Sequence, residues 1–157
     1  ISGIYIPFTG EATVNALLPE VEQPFVMGHE MAHQRGIARE DEANFTGWLA
    51  CRESGHAAAR YSADLAAFNT FISALASVAP DSAHALNRGL LDSGPALDRK
   101  IIYAFWRKYE GPGTELADRV NDTYLKTNAQ REGTRSYGRM VDLVTAHEAA
   151  GRWDPGW

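Results

Sequence analysis

The sequence predicts a mainly α-helical domain that begins with a small β-hairpin, an α+β arrangement. Near the N-terminus an alternating pattern runs over residues 4–8 and resumes over 12–17, on either side of the turn residues Thr9-Gly10. Two short extended runs around such a turn are typical of a hairpin. From Pro24 onward the apolar residues recur at helical spacing, which predicts helices through the rest of the chain.

Glycine and proline residues divide this helical part into segments. The predicted helices span residues 24–35, 39–54, 57–79, 82–91, 95–110, 114–128 and 136–150. Pro24 fits the first position of the first helix, and Gly36 fits the residue just past its end. The whole chain, residues 1–157, is predicted to form a single domain with its own core. Because it begins at Ile1 and not at methionine, we expect a fragment of a longer protein.

The composition excludes several classes of partner and structure. A net charge of −5 argues against nucleic acid and anionic membrane surfaces as generic partners. No stretch is apolar enough to span a bilayer, since the nearest candidate, residues 65–79, contains four polar side chains. The single cysteine, Cys51, cannot form an internal disulfide, and we predict that it is a core residue.

The most informative motif is HExxH, formed by His29, Glu30 and His33. Residues four apart share one face of a helix, so both imidazoles can bind one metal ion while Glu30 projects to the flank. A glutamate in that place can reach a water on the metal without ligating it. The uncharged residues around the motif predict a helix that is buried on its other faces. The alternative is an amphipathic helix with two solvent-facing histidines.

A catalytic zinc ion needs a third protein ligand besides His29 and His33. In metalloproteases with the longer motif HExxHxxGxxH, the third ligand follows three residues after the glycine. That position is Arg39 in this chain, which excludes the class. The carboxylates of Glu40 and Glu42 follow directly, and either residue can supply the ligand. A purely structural explanation of these acids is that they complement the dipole of a helix N-terminus.

The segment from Arg39 to Asn44, REDEAN, resembles the RExEAD element of gluzincin membrane peptidases, such as the CAAX-processing and heat-shock endopeptidases. The resemblance implies a zincin-like metallopeptidase fold with Zn²⁺ bound by His29, His33 and Glu40. It also implies that Asn44 steadies a ligand histidine, although those families have Asp there, which makes a stronger hydrogen bond.

More of the chain is similar to an uncharacterised bacterial family of membrane-anchored, predicted zinc peptidases, known as a domain of unknown function. The matching segments are residues 3–11, 29–51, 60–62, 121–130 and 136–138. This resemblance implies a membrane-associated bacterial protein whose tether lies outside the present chain. It implies a peptidase fold but no particular substrate, and a peptide or protein is the partner that we expect of a peptidase.

The residues therefore predict a zinc metallopeptidase with Glu30 as general base. An oxyanion-stabilising donor is also required, and Tyr137 is the first candidate because its Ser-Tyr-Gly setting matches the family. Other candidates by residue type are Tyr61, Tyr124 and Arg135. Two other functions share the same residues, namely a non-catalytic zinc-binding sensor or scaffold and a non-peptide amide hydrolase.

Overall fold

A two-stranded antiparallel hairpin opens the computed structural model, which describes residues 1–89, 93–109 and 139–151. Strand β1 spans Gly3–Ile6 and strand β2 spans Glu11–Val14. Their register pairs Gly3 with Val14 and Ile6 with Glu11. The turn between them closes through the Gly10 N–H, which donates to the Ile6 carbonyl at 2.8 Å.

Helices make up most of the remaining described residues. Their bounds are α1 Gln23–Gln34, α2 Glu40–Glu53, α3 Ala57–Val78, α4 Pro80–Gly89, α5 Ser93–Arg107 and α6 Met140–Ala149. The predicted mainly helical class with an N-terminal hairpin is therefore confirmed. The helix predicted at residues 114–128 lies outside the described residues.

The core lies where α2, α3 and α6 meet. Its largest fully buried side chains are Trp48 of α2 and Met140 of α6, and Cys51, Ala63, Ala67 and Val144 complete the cluster. Cys51 is thus a core residue, as predicted, and burial raises the pKa of its thiol. Helix α1 packs beside this core against α2, α3 and both strands.

Strand β2 is shorter than the predicted extended run over residues 12–17. The strand ends at Val14 because Asn15 bends the chain. The Asn15 side-chain oxygen accepts a hydrogen bond from the Leu17 N–H at 2.9 Å, and the Asn15 carbonyl accepts one from Leu18 at 3.1 Å. Such local bonds from asparagine compete with strand pairing, so the predicted end of this strand was wrong.

One face of α1 is open to solvent, contrary to the expectation that the helix is buried on all faces away from the metal. Met27 is 52% exposed and Met31 is 45% exposed, one turn apart on that face. The described elements pack on the other sides of α1 and leave this one uncovered. None of the described helices combines the length and the apolar character needed to cross a membrane.

Ser62 of α3 fixes the start of α1. Its hydroxyl accepts a hydrogen bond at 3.0 Å from the backbone N–H of Phe25, in the first turn of α1. An N–H at that position has no partner within its own helix, so it depends on an outside acceptor. Ser62 is only 2% exposed, which makes this bond a buried link between the two helices.

We expect Ser62→Ala to lower the free energy of unfolding by about 1–2 kcal/mol, the usual cost of removing a side-chain cap. Chemical denaturation of the metal-free protein measures the change. Ser73→Ala is the matched control, because Ser73 is an exposed serine of the same helix and its loss should change stability by less than about 0.5 kcal/mol. Equal effects of the two substitutions would contradict the proposed cap.

Candidate metal centre

Helix α1 presents both histidines of the motif on one face, as the spacing predicts. The Nε2 atoms of His29 and His33 lie 3.0 Å apart, and the two rings meet edge to face. Both side chains are mostly buried, with 14% of each exposed. The alternative of two solvent-facing histidines is therefore wrong, and both nitrogens converge on one point.

A turn at the end of α1 sets the orientation of His33. Gly36 has a φ of 93°, and the Ile37 N–H then donates back to the Ala32 carbonyl at 3.1 Å. This left-handed turn is readily adopted by glycine, and it folds the chain over the last turn of the helix. As a result the Ile37 carbonyl lies 2.7 Å from Nδ1 of His33 and accepts its hydrogen. In the neutral imidazole the free lone pair is then on Nε2, as a metal ligand requires.

The third side chain of the cluster is Glu40, the first residue of α2. Its two carboxylate oxygens lie 3.3 Å from Nε2 of His29 and 3.6 Å from Nε2 of His33. Atoms bound to zinc at 2.0–2.2 Å with tetrahedral angles lie about 3.3–3.6 Å apart. The distances among His29, His33 and Glu40 are close to these values, so the cluster can hold a metal ion.

The donor atoms and the burial also fit a zinc site. Two imidazoles and one carboxylate are a ligand set of catalytic zinc enzymes, in which a fourth position stays open.

Nδ1 of His29 is buried and has no hydrogen-bond partner within the described part of the chain. In the tautomer that binds a metal through Nε2, this Nδ1 carries a hydrogen and needs an acceptor.

Glu30 lies on the flank of the cluster and under strand β1. The residue is only 5% exposed, and the backbone N–H of Tyr5 donates to its carboxylate. Burial raises the pKa of Glu30, and the neighbouring Glu40 adds to this. The positive charge of His29 and His33 and the bond from Tyr5 oppose the rise. The result is a buried carboxylate beside the three ligand atoms, with a pKa above its ordinary value.

The charges of Glu40 and His33 are coupled in the metal-free protein. Burial raises the pKa of Glu40, but its contacts with the two histidines outweigh this and bring it to about 2. The same carboxylate raises the pKa of His33, against the effect of burial and with help from the Ile37 carbonyl. Below pH 4.5, the ordinary value of Glu40, the stabilisation by its carboxylate is therefore lost progressively towards pH 2.

Two glycines bring α1 and α2 into backbone contact beside the metal ligands. A Cβ added to Gly47 would lie 2.8 Å from the backbone nitrogen of His29 and 3.0 Å from the Gly28 carbonyl carbon. A Cβ added to Gly28 would lie 3.0 Å from the Gly47 carbonyl oxygen. Any larger residue at either position separates the helices. Because His29 and Glu40 are on different helices, the distance between these ligands depends on this contact.

An ion pair fixes the first turn of α2 around Glu40. Arg39 donates two hydrogen bonds to the carboxylate of Asp41, from Nε at 3.1 Å and from an Nη at 2.6 Å. Arg39 and Asp41 are the two sequence neighbours of Glu40. Asp41 is 4% exposed, so their ion pair is partly buried. Glu42, the alternative third ligand, is exposed and lies 3.3 Å from Nε of Arg39. The structure thus brings Glu40, and not Glu42, to the two histidines.

The other residues predicted for the site have different outcomes. Asn44 is half-buried one turn after Glu40, and no hydrogen bond joins it to His29 within the described contacts, so its role in steadying a ligand histidine stays a prediction. The Tyr61 hydroxyl donates to Asp98 of α5 at 2.5 Å. Three further candidates lie outside the described residues: Tyr124, Arg135 and Tyr137.

The sequence did not reveal several residues that shape the site. These are Gly3 and Tyr5 beside Glu30, the Ile37 carbonyl, the Arg39–Asp41 fork and the Gly28–Gly47 contact. Each acts through its backbone or through a tertiary approach, which leaves little trace in residue type. The one available signal was glycine inside helical segments, since Gly28 and Gly47 weaken helices unless close packing requires them.

Comparison with known families identifies the chain at the level of the family. Residues 1–145 match the family described as "Protein of unknown function (DUF3810)". The chain belongs to this family. The match includes both strands and all three residues of the metal cluster. No curated protein and no solved structure matches this DUF3810 chain. The predicted membership of an uncharacterised family is thus confirmed.

We expect Gly47→Ala to weaken zinc binding by about tenfold or more, because ligand positions tolerate errors of only about 0.2 Å. Isothermal titration calorimetry measures the affinity, and chemical denaturation of the metal-free protein measures the fold separately. Gly89→Ala is the matched control, since a Cβ on this helical glycine meets nothing within 4 Å. Unchanged affinity in Gly47→Ala would show that the helix contact does not set the ligand geometry.

Zinc binding is expected to release a proton from His33. The Glu40 carboxylate raises the pKa of His33 above 6.5, and a metal ligand must be neutral. The apparent affinity should therefore rise with pH through that raised pKa and level off above it. Titrations at several pH values, in buffers of different ionisation enthalpy, count the protons released.

Two substitutions of α2 test this coupling. Glu40→Gln should weaken zinc binding strongly and reduce the proton release near pH 6.5, because the carboxylate that raises the pKa of His33 is gone. Glu42→Gln removes an exposed carboxylate two residues away and should leave both quantities unchanged. A zinc affinity independent of pH would contradict the prediction.

Proposed function

We propose that this chain is a zinc-dependent hydrolase, and that it acts as a metallopeptidase. The observation that carries the proposal is the juxtaposition of two kinds of group in one buried place. His29, His33 and Glu40 form a cluster with the spacing of a tetrahedral metal site, and the carboxylate of Glu30 lies beside it without joining it. A purely structural metal site has no need of such a carboxylate.

The residues divide into those that hold the ion and one that moves protons. His29 and His33 of α1 and Glu40 of α2 would bind zinc as its three protein ligands. When bound, zinc lowers the pKa of a water ligand to about 7 and polarises a carbonyl oxygen as a Lewis acid. The remaining chemistry is assigned to Glu30.

Glu30 would act as general base and then as general acid. Its carboxylate takes a proton from the attacking water, and the protonated side chain then gives that proton to the leaving nitrogen. A base is most effective when its pKa is close to the working pH, and burial raises the pKa of Glu30 in that direction. The hydrogen bond from the Tyr5 N–H stabilises the charged carboxylate and opposes part of this rise in pKa.

The preference for peptides rests on the resemblance of the RExEAD-like segment to gluzincin peptidases. In this chain Glu40 of that segment lies at the two histidines, as it would in a gluzincin-like site. The resemblance of the longer segments to the membrane-anchored bacterial family supports a bacterial protein that is tethered to a membrane by a segment outside this chain. Tyr137 remains our proposed oxyanion donor, by residue type and setting.

We expect Glu30→Gln to abolish hydrolysis while zinc binding is retained. The amide cannot accept the proton of the water, which should lower kcat by about a hundredfold or more. A screen of the purified protein against peptide libraries and cell-wall fragments, with a chelator control, identifies the substrate and measures the rate. Glu53→Gln is the matched control, because it removes an exposed carboxylate near the end of α2.

The outcomes of this screen separate the proposal from its alternatives. Full activity in Glu30→Gln would overturn the mechanism. Cleavage of cell-wall amides alone would identify a non-peptide amide hydrolase. A protein that binds zinc through His29, His33 and Glu40 but hydrolyses nothing in the screen would instead be a sensor or scaffold.

A further inference from the structure

Strand β1 has a recess where it passes over Glu30, and the recess exists because residue 3 is glycine. A Cβ added to Gly3 would lie 2.6 Å from both Cγ and Oε1 of Glu30. It would also lie 2.8 Å from the Thr13 carbonyl oxygen of β2. These distances are too short for any side chain, so Glu30 occupies the space that a side chain at position 3 would need.

The pairing of the strands explains why β1 also offers Glu30 a hydrogen bond. The Asn15 N–H donates to the Ser2 carbonyl at 2.8 Å, so these two residues form a hydrogen-bonded pair. Hydrogen-bonded and non-hydrogen-bonded pairs alternate along antiparallel strands. Gly3 and Tyr5 are therefore non-hydrogen-bonded positions whose N–H groups point away from β2. The Tyr5 N–H donates to Glu30 on that side.

We propose that Gly3 is a positioning residue, which places the Glu30 carboxylate beside the metal cluster by leaving it room under β1. The hairpin is then part of the catalytic apparatus and not only a cover. Two contacts on β1 define the place of the carboxylate, the recess at Gly3 and the N–H of Tyr5. This inference rests on the proposed function for its catalytic meaning, but the contact itself can be tested without any substrate.

The first test compares Gly3→Ala with Ile4→Ala in kinetics and metal binding. Neighbouring residues of a strand point to opposite faces, and Ile4 is 47% exposed, so Ile4→Ala weakens the same strand without touching Glu30. Gly3→Ala should lower kcat by about tenfold or more, with KM little changed, since the base is displaced. Zinc affinity and the visible spectrum of the cobalt-substituted protein should stay as in the wild type.

The second test is a double-mutant cycle on thermal unfolding, which needs no activity. Gly3→Ala should lower the midpoint by several degrees in the wild type and in Glu30→Gln, because glutamine has the same size as glutamate. In Glu30→Ala the side-chain contact is gone, so part of this loss should disappear. The contact with the Thr13 carbonyl is common to all backgrounds and cancels in the comparison.

A measurement on the zinc-loaded wild type covers the case in which Gly3→Ala does not fold. A nuclear Overhauser effect between the Hα atoms of Gly3 and the Hγ atoms of Glu30 should be strong, and its absence overturns the placement. An equal cost of Gly3→Ala in the Glu30→Gln and Glu30→Ala backgrounds also overturns it, as does an unchanged kcat. If the wild type hydrolyses nothing, the proposed function fails, while the cycle and the Overhauser effect still decide whether Gly3 places Glu30.

Discussion

The backbone contact between α1 and α2 is the constraint on which the geometry of the candidate metal cluster depends. Gly28 and Gly47 let the two helices approach until main-chain atoms touch, next to His29. Glu40 is two helical turns before Gly47, so it projects from the same side of α2 towards α1. A small change in the separation of the helices is therefore transmitted directly to the distances between the ligand atoms. The bond from Ser62 to the start of α1 restrains the same helix from the side of α3.

Packing alone does not explain why four ionisable side chains are buried together at the cluster. Glu40 and the two histidines are mostly buried together, and Glu30 adds a second buried carboxylate beside them. Two nearby carboxylates repel each other, and burying both is costly unless cations or hydrogen bonds compensate. In the metal-free protein the compensation comes from the contacts of Glu40 with the two histidines and from the Tyr5 N–H beside Glu30. A divalent cation at this point would compensate both carboxylates at once.

The sequence predicted the parts of the site that depend on local spacing. The i and i+4 positions of His29 and His33 place them on one face of a helix in any fold, and the acids that follow Arg39 made Glu40 and Glu42 the two candidates for the third ligand. It could not choose between Glu40 and Glu42 from the residues alone, because that choice depends on where the first turn of α2 faces. Likewise, the exposed face at Met27 and Met31 depends on which elements cover α1, and not on its own pattern.

The positions of Glu30 and of the three ligands rest on different parts of the fold. Adjacent residues of a helix point about 100° apart, so Glu30 cannot share the supports of His29. The ligands are held by the contact of two helices, whereas the Glu30 carboxylate is held by β1 through Gly3 and Tyr5. A metal-binding scaffold requires only the first of these arrangements. The second confines a buried carboxylate beside the cluster, which is the arrangement that the proposed proton transfer by Glu30 requires.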